Sequence, residues 1–481
     1  MNYLEVIPDP VSLLESMRAV GYTPESAVAD IIDNSISAKA NKIEVLWDPD
    51  INPYVAIIDN GIGMSPDELT NAMRHGSSNP TKERNESDLG RFGLGLKTAS
   101  MSQCRILTVI SKSNNVISIR RWDMDLVAKT GKWMVEIPSI EEIRQKNLIE
   151  KIVNEVSGTI VVWENLDKLI SGATEIITEI THKFKPLEDH LALVFHRFIK
   201  PEAFEESISI TLNNKIVPAL DPYLKFNNLR QKLEGQIIPH KLGKISVTPY
   251  ILPPMSHMTP EEIEICGGAD GLRTSQGFYI YRNKRLVIWG TWFRLVNKDE
   301  FFKLARIQVD IPNTFDSLWA LDIKKSTAFP PDIIRKDLKN LIPYFIANSK
   351  GTIVYSGRKQ NGSKNAPMWL RVEKYNKVRY LPNIDHPLIK SITENADPKL
   401  LKSIDKLFNM LSASLPMQAI YADMTTDAYV SNSQIDTEEL LNTIKEIHEV
   451  TGIEFEKIIK MEPFINYHET HKQILKQLKN N

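Results

Sequence analysis

Residues 27 to 40 read AVADIIDNSISAKA. At about 100° per residue, Val28, Ile31, Ile32 and Ile36 fall on one side of a helix, and Asp30, Asp33, Asn34 and Ser37 gather on the other. Asp, Asn and Ser each cost up to about 0.7 kcal/mol relative to Ala inside a helix, because they compete for backbone hydrogen bonds. No Lys, Arg or Glu stands at the centre of this polar face. A solvated face gains nothing from such a choice, whereas a face that holds a metal or a water nucleophile does. A second stretch, DLGRFGLGLKTA at 88 to 99, carries a Gly-x-x-Gly-x-Gly run. Its backbone NH groups can approach an anion, and a helix beginning there adds a favourable dipole. A third, DNGIGM at 59 to 64, makes a good turn after an apolar run.

These residues need elements to hold them. Thr23 followed by Pro24 supplies a cap and first position for the Asp30 helix. KIEVLW and YVAIID read as strands from their β-branched and aromatic content, the second ending at Asp59. SPDELTNAMR opens with a Ser65-x-x-Glu68 capping box and Pro66, which predicts a helix. Residues 75 to 93, HGSSNPTKERNESDLGRFG, are polar and without period; loops this long inside a domain are usually lids or binding loops. LGLKTASMSQC resumes a helix. RILTVISK, VISIRRWDM, KWMVEI and GTIVVWENL follow as strands, the first two joined by an SNN turn. Helices gathered with an antiparallel meander make an α+β layer.

Further on, helical ATEIITEITHKFKPLEDHLALVFHRFI leads into a second β-rich region containing SISITLNNKIV, KISVTPYIL, GFYIYRNKRLVIW, RIQVDIP and WALDIKKS. PPDIIRKDLKNLIPYFIANS then reads as a long helix entered through prolines. SGRKQNGSKNAP, 356 to 367, has the composition of a linker. The remainder reads as mostly helical, including DPKLLKSIDKLFNMLSASL and DTEELLNTIKEIHEVTG.

Composition removes several function classes. A net charge of -1 leaves no global basic footprint, so any nucleic-acid binding must come from a local patch. Cys104 and Cys266 are the only cysteines, too few for a zinc ribbon or a disulfide framework, and they fit a reducing cytoplasm. No apolar run reaches transmembrane length, and MNYLEVIPDPVSLLESM lacks the basic start and apolar core of a signal peptide. The expectation is a cytoplasmic protein with no membrane partner. A Walker A loop is excluded because Leu96 separates Gly95 from Lys97, and a Rossmann fingerprint because a polar loop precedes the glycines.

Taken in order, DIIDNSISA on a helix, DNGIG after a strand, a long polar loop, GRFGLGLKTA opening a helix, and Gly158-Thr159 entering a strand resemble the GHKL ATPases. That superfamily comprises DNA gyrase B, the ninety-kilodalton heat-shock chaperones, histidine kinases and MutL, and the likeness is greatest to its MORC and MutL branch. The resemblance covers roughly residues 20 to 340. It implies an α+β chain with a Bergerat-type ATP-binding α/β sandwich over 1–200, its lid at about 75–93. A transducer-like domain of the ribosomal protein S5 type would follow over 201–355, then the 356–367 linker and a mostly helical region over 368–481.

The same resemblance assigns roles. Asn34 would coordinate Mg²⁺ bridging the phosphates of ATP, since magnesium needs few protein ligands. Asp59 would accept a hydrogen bond from the adenine amino group, with Thr159 completing that contact. Gly61 and Gly63 would leave room for the purine, Met64 would pack beside it, and Ala38 would line the same site. Gly93, Leu94, Gly95, Leu96, Lys97 and Thr98 would hold the phosphates once the lid folds over. Asp30 stands where most hydrolysing relatives carry Glu, one turn before the metal-binding Asn, as the base that takes a proton from water. Being a methylene shorter, it puts the hydrolysis rate in question.

In the second region, GFYIYRNKRLVIWG looks like the family's strand with an aromatic and an Arg-Leu pair. WALDIKKSTAFPP looks like the segment that delivers a lysine to the γ-phosphate, with Lys324 and Lys325 both candidates. A histidine kinase would place a phosphoacceptor His helix before the pocket, and none is there; no nuclease motif is found either. The resemblance therefore implies an ATPase that forms a homodimer on binding ATP and acts as a clamp on DNA. A bacterial anti-phage or restriction system would supply a partner nuclease, helicase or methylase. The alternatives are a chaperone-like ATPase with a protein client and a pseudo-ATPase latched by bound ATP.

Overall fold

The computed structural model describes residues 4, 8–19, 21–50, 52–76, 95–172, 174–202, 205–317, 330–354, 367–374, 377–393, 396–420 and 437–467. Most of the expected lid, Gly93, Leu94, Lys324, Lys325, the WALDIKKS strand and nearly all of the linker lie outside them. The chain divides into two compact units, Met1–Ser356 and Gly357–Asn481. As expected, the fold is mixed α+β.

Within the first unit, β1 (Lys42–Asp48), β2 (Tyr54–Asp59), β3 (Ile106–Ser113), β4 (Val116–Asp123), β5 (Gly158–Glu164), β6 (Ser209–Leu212) and β7 (Lys215–Ile216) form a seven-stranded sheet. The order is β4-β3-β5-β2-β1-β6-β7, antiparallel throughout except where β6 runs parallel to β1. YVAIID explains itself here. Val55 and Ile57 enter a core with Val28, Ile31 and Ile32, while Ala56 and Ile58 enter another with Leu148, Ile149 and Ile152 of the Lys146–Asn154 helix. Alternate residues face opposite layers, and with both faces covered the strand becomes a continuous apolar run.

The sequence motifs place the helices. Helix α1 spans Pro10–Arg18, and α2, Pro24–Ser37, starts at the Thr23 cap with Pro24 in its first turn. Helix α3, Pro66–Met73, carries the complete Ser65–Glu68 capping box, and α4 runs Gly95–Met101. Asn114 and Asn115, at φ 50° and 61°, form the β3–β4 turn, since two successive left-handed residues suit a tight hairpin.

Two expectations are corrected. KWMVEI is not a strand: only Glu136 pairs, in an isolated bridge to Arg121. SISITLNNKIV does not belong to the second β-rich region; as β6 and β7 it extends the first sheet, so that sheet runs past residue 200. A strand's partner is a long-range property that alternation does not reveal. The helical stretch before it breaks at Pro186 and again at Phe195, into helices Ile176–Phe184, Leu187–Val194 and His196–Ile199.

The second sheet contains β8 (Gln231–Lys232), β9 (Gln236–His240), β10 (Gly243–Ile251), β11 (Gly277–Arg282), β12 (Arg285–Thr291) and β13 (Ala305–Ile311). One face packs on Ile334, Leu338, Ile342 and Phe345 of the long Asp332–Val354 helix. The other presents Tyr250, Tyr279 and Tyr281, which cluster with Tyr223 of the preceding loop, and here the two sheets' layers meet. His196 Nε2 lies 2.8 Å from the Tyr281 hydroxyl, and Arg197 pairs with Asp310.

In the second unit a hairpin, β14 (Trp369–Lys374) with β15 (Lys377–Pro382), precedes helices Pro387–Thr393, Pro398–Ala413 and Thr437–Thr451. Leu440, Ile444, Ile447, Ile458 and Phe464 form its core. The hairpin is an addition to the helical expectation.

The β3–β4 turn supplies a stability test. Asn115→Val should destabilise by about 1–2 kcal/mol, because a β-branched residue resists the left-handed region, while Asn115→Gly should be neutral or slightly stabilising. Urea midpoints at constant m-value report both.

Candidate active site

The site is built around the end of β2. Asp59 is buried there, its Oδ1 accepting the Gly61 NH at 2.9 Å and its Oδ2 accepting the Ser35 hydroxyl at 2.8 Å. Burial raises the Asp59 carboxyl above its ordinary value of 3.8, and the hydrogen bonds from Gly61, Ser35 and Thr159 pull only partly the other way. Strand pairing sets Asp59 opposite Thr159. The Thr159 Oγ1 lies 2.9 Å from Ser111 Oγ, which also donates to the Gly158 carbonyl at 3.1 Å and accepts the Met64 NH at 2.9 Å. Two serines that the sequence reading did not single out thus make these links: Ser35 ties Asp59 to α2, and Ser111 ties Thr159 to Met64.

The glycines have a packing reason. A Cβ on Gly61 would sit 2.8 Å from the Ala38 carbonyl oxygen, and one on Gly63, where φ is +66°, would sit 1.9 Å from that of Lys112. The turn closes against the end of α2 and against β3. Room for a purine is not what first demands glycine at these two positions.

Helix α2 is buried on both sides. Val28, Ile31 and Ile32 face the core as expected, but Asp30 and Asp33 are also buried, 6% and 1% exposed, whereas Asn34 and Ser37 are exposed. The polar face therefore divides. Asp30 Oδ2 accepts the Tyr22 hydroxyl at 3.0 Å. Asp33 takes a 2.7 Å ion pair from Arg285 Nε, at the start of β12, and the same guanidinium lies 3.7 Å from Asp30 Oδ1. Arg285 belongs to the Arg-Leu pair noted in the sequence, but its reach across to α2 had no local signal. Beside this pair, burial pushes the His190 imidazole down to about 4, helped by the Arg285 charge and opposed by Asp33.

At the glycine-rich mouth, Gly95 opens α4, and a Cβ there would come within 3.9 Å of Asp30 Oδ2. Leu96 packs on the first core. Lys97 is placed differently from expectation: its ammonium is buried and donates to the Ala72 carbonyl at 2.8 Å, and burial lowers its pKa to about 8. The Thr98 hydroxyl is buried without a hydrogen-bond partner among the described residues. Asp30 and Gly95 thus lie beside the middle of α2 and the Asp59 turn at its C-terminal end, while Lys97 faces away toward α3.

Residues 22–159, which hold these α2, β2, α4 and β5 residues, match the family described as histidine kinase-, DNA gyrase B- and HSP90-like ATPases. This part of the chain is a GHKL ATPase domain. The chain is 33% identical over 211 residues to ATPase MORC2B of Mus musculus, a match covering 37% of this chain and 20% of that protein. It is 23% identical over 240 residues to the DNA mismatch repair protein MutL of Fervidobacterium nodosum, covering 50% of this chain and 39% of that one. A crystal structure of the N-terminal domain of a DNA repair protein aligns at 16% identity and a TM-score of 0.40, over 67% of this chain and 94% of that chain. The GHKL domain here thus shares sequence with proteins that are much longer than the matched segments. No helix among the described residues is long and apolar enough to cross a membrane.

Desolvation of Asp59 has a measurable sign. A carboxyl whose pKa is raised on folding stabilises the native state below its unfolded value, and that contribution is lost as pH rises through the folded value. Asp59→Asn should therefore gain stability over wild type at neutral pH. The gain should shrink as pH falls towards the unfolded carboxyl value. Thermal unfolding across pH checks this, and a gain that grows on acidification would contradict it.

Proposed function

We propose that the GHKL domain binds ATP with Mg²⁺ and hydrolyses it, and that ATP joins two copies of the chain into a clamp that acts on DNA. The observation that carries this reading is the buried Asp59 carboxylate beside Thr159. Gly61 NH, Ser35 OH and the Thr159 backbone donate to the Asp59 carboxyl, and a carboxylate offers about four acceptor sites, so capacity remains for an adenine amino group. Desolvation makes that hydrogen bond selective, because a base without the amino group would leave the carboxylate short of a donor.

Among the described residues no group of three or more His, Cys, Asp or Glu side chains is arranged around a metal site. Asn34, exposed on α2, would hold magnesium through its carboxamide oxygen, with waters and the phosphates themselves. Bound there, the ion would neutralise charge on the phosphate oxygens. Asp30, one turn before Asn34 and close to Gly95, would orient the attacking water and receive its proton. Lys324 or Lys325 would complete the site from the second domain, with Gly93 and Leu94 at the phosphates. Similarity to MORC and MutL proteins supports a DNA client, and a partner nuclease, helicase or methylase in a defence or restriction system would act on the same DNA. The Tyr22 and Arg285 contacts on Asp30 favour a second reading, an ATP latch with little turnover.

Calorimetry and phosphate release separate the two readings. Asn34→Ala should abolish Mg²⁺-dependent ATP binding. Asp30→Ala should keep binding and lose hydrolysis by about 100-fold or more; equal phosphate release from wild type and Asp30→Ala would favour the latch. DNA affinity should fall steeply with salt, as phosphate contacts require, whereas no salt-sensitive DNA binding would point to a protein client.

A further inference from the structure

Arg285 is placed for more than holding two layers together. It is the first residue of β12, directly after the Asn283–Lys284 turn, where φ values of 47° and 69° set a tight hairpin. The guanidinium is fixed from several sides. Nε is 2.7 Å from the Asp33 carboxylate, Nη1 donates to the Leu286 carbonyl at 3.2 Å, the group sits 5.6 Å from the centroid of the Phe195 ring, and Nη2 lies 3.7 Å from Asp30 Oδ1. Arg285, Asp33 and Asp30 are all buried. A staple between layers needs only Asp33. The extra approach to Asp30, one turn earlier on the same helix, puts a cation from the second sheet against the side chain that the hydrolysis reading makes the base.

We propose that Arg285 is a positioning residue for hydrolysis, bridging Asp33 and Asp30 so that the orientation of Asp30 depends on where the second sheet sits. The inference rests on the reading of Asp30 as the base. Tyr22 holds one Asp30 oxygen and Arg285 faces the other, so the short carboxylate is aimed from two directions. Asp30 lacks the reach of a longer acid, and its direction then governs whether a water can be placed in line. Displacement of β12 relative to α2 would release or re-aim the base without altering the Asp59 end of the pocket. Turnover and nucleotide affinity are therefore separable at Arg285. A lysine there carries charge at a single point and cannot span two carboxylates as a guanidinium does.

The test uses the full chain with ATP and Mg²⁺, comparing Arg285→Lys with the paired change Arg285→Met/Asp33→Leu. The pair removes Arg285 together with its 2.7 Å partner and leaves Asp30 on the Tyr22 hydroxyl, so folding is preserved, because apolar replacement of a buried pair is often neutral or stabilising. Both variants should fold with thermal stability near wild type and bind ATP within about twofold of wild type. Both should lose about 10- to 100-fold in kcat, the cost expected from a reacting group misplaced by about an ångström. Wild-type kcat in either folded variant would overturn the proposal. So would a loss of ATP affinity in step with kcat, since that is general damage to the pocket. Asp30→Asn run alongside keeps the two ideas apart. An inactive Asp30→Asn with fully active Arg285 variants sinks only the positioning role, and a fully active Asp30→Asn sinks the base reading itself.

Discussion

Three carboxylates, Asp30, Asp33 and Asp59, are withdrawn from water along one helix and the strand beneath it. Burying an ionised carboxylate is costly unless donors or a counter-charge replace the lost water. Each of the three is satisfied from a different part of the chain: Asp59 by its own turn and by Ser35, Asp30 by Tyr22, Asp33 by Arg285 from the second sheet. Helix α2 therefore cannot hold this pattern of charge on its own. The arrangement of the site and the docking of the second layer are one energetic problem.

The layers meet in a second place that carries the same logic in softer form. The tyrosines of β10 and β11, with Tyr223, make an aromatic surface whose hydroxyls and rings engage His196 and Arg197 at the end of the first layer's helices. Burial lowers the His196 imidazole to about 3, so it meets the Tyr281 hydroxyl as a neutral ring. The aromatic contact supplies area, and the α2 contact supplies the charge that ties area to chemistry.

Local rules were legible where the physics is local. The Thr23 and Ser65 caps, the two-asparagine turn and the doubly covered strand YVAIID all stand as their residues suggest. The odd choice of Asp, Asn and Ser on α2 goes with the burial of two of its carboxylates. What it did not show is how that face divides: Asn34 stays exposed while Asp33 disappears under an arginine 252 positions away. Lys97 shows the same limit. Its motif position speaks of phosphate, but a buried ammonium needs an acceptor, and the Ala72 carbonyl is the one this fold brings to it. Long-range partners leave no mark in spacing, and that is also why the 209–216 hairpin and KWMVEI were misplaced.

The parallel pairing of β6 on β1 has a consequence for how the polypeptide emerges from the ribosome. β1 is made early, yet the neighbour that covers its outer edge lies beyond residue 208. Until then its unpaired amide and carbonyl row is a template for stray strands. Synthesis at about 5–20 residues per second leaves that edge bare for many seconds. The nascent first sheet thus keeps a bare edge beside the strand that ends at the Asp59 turn, where a chaperone that masks sheet edges would have much to protect.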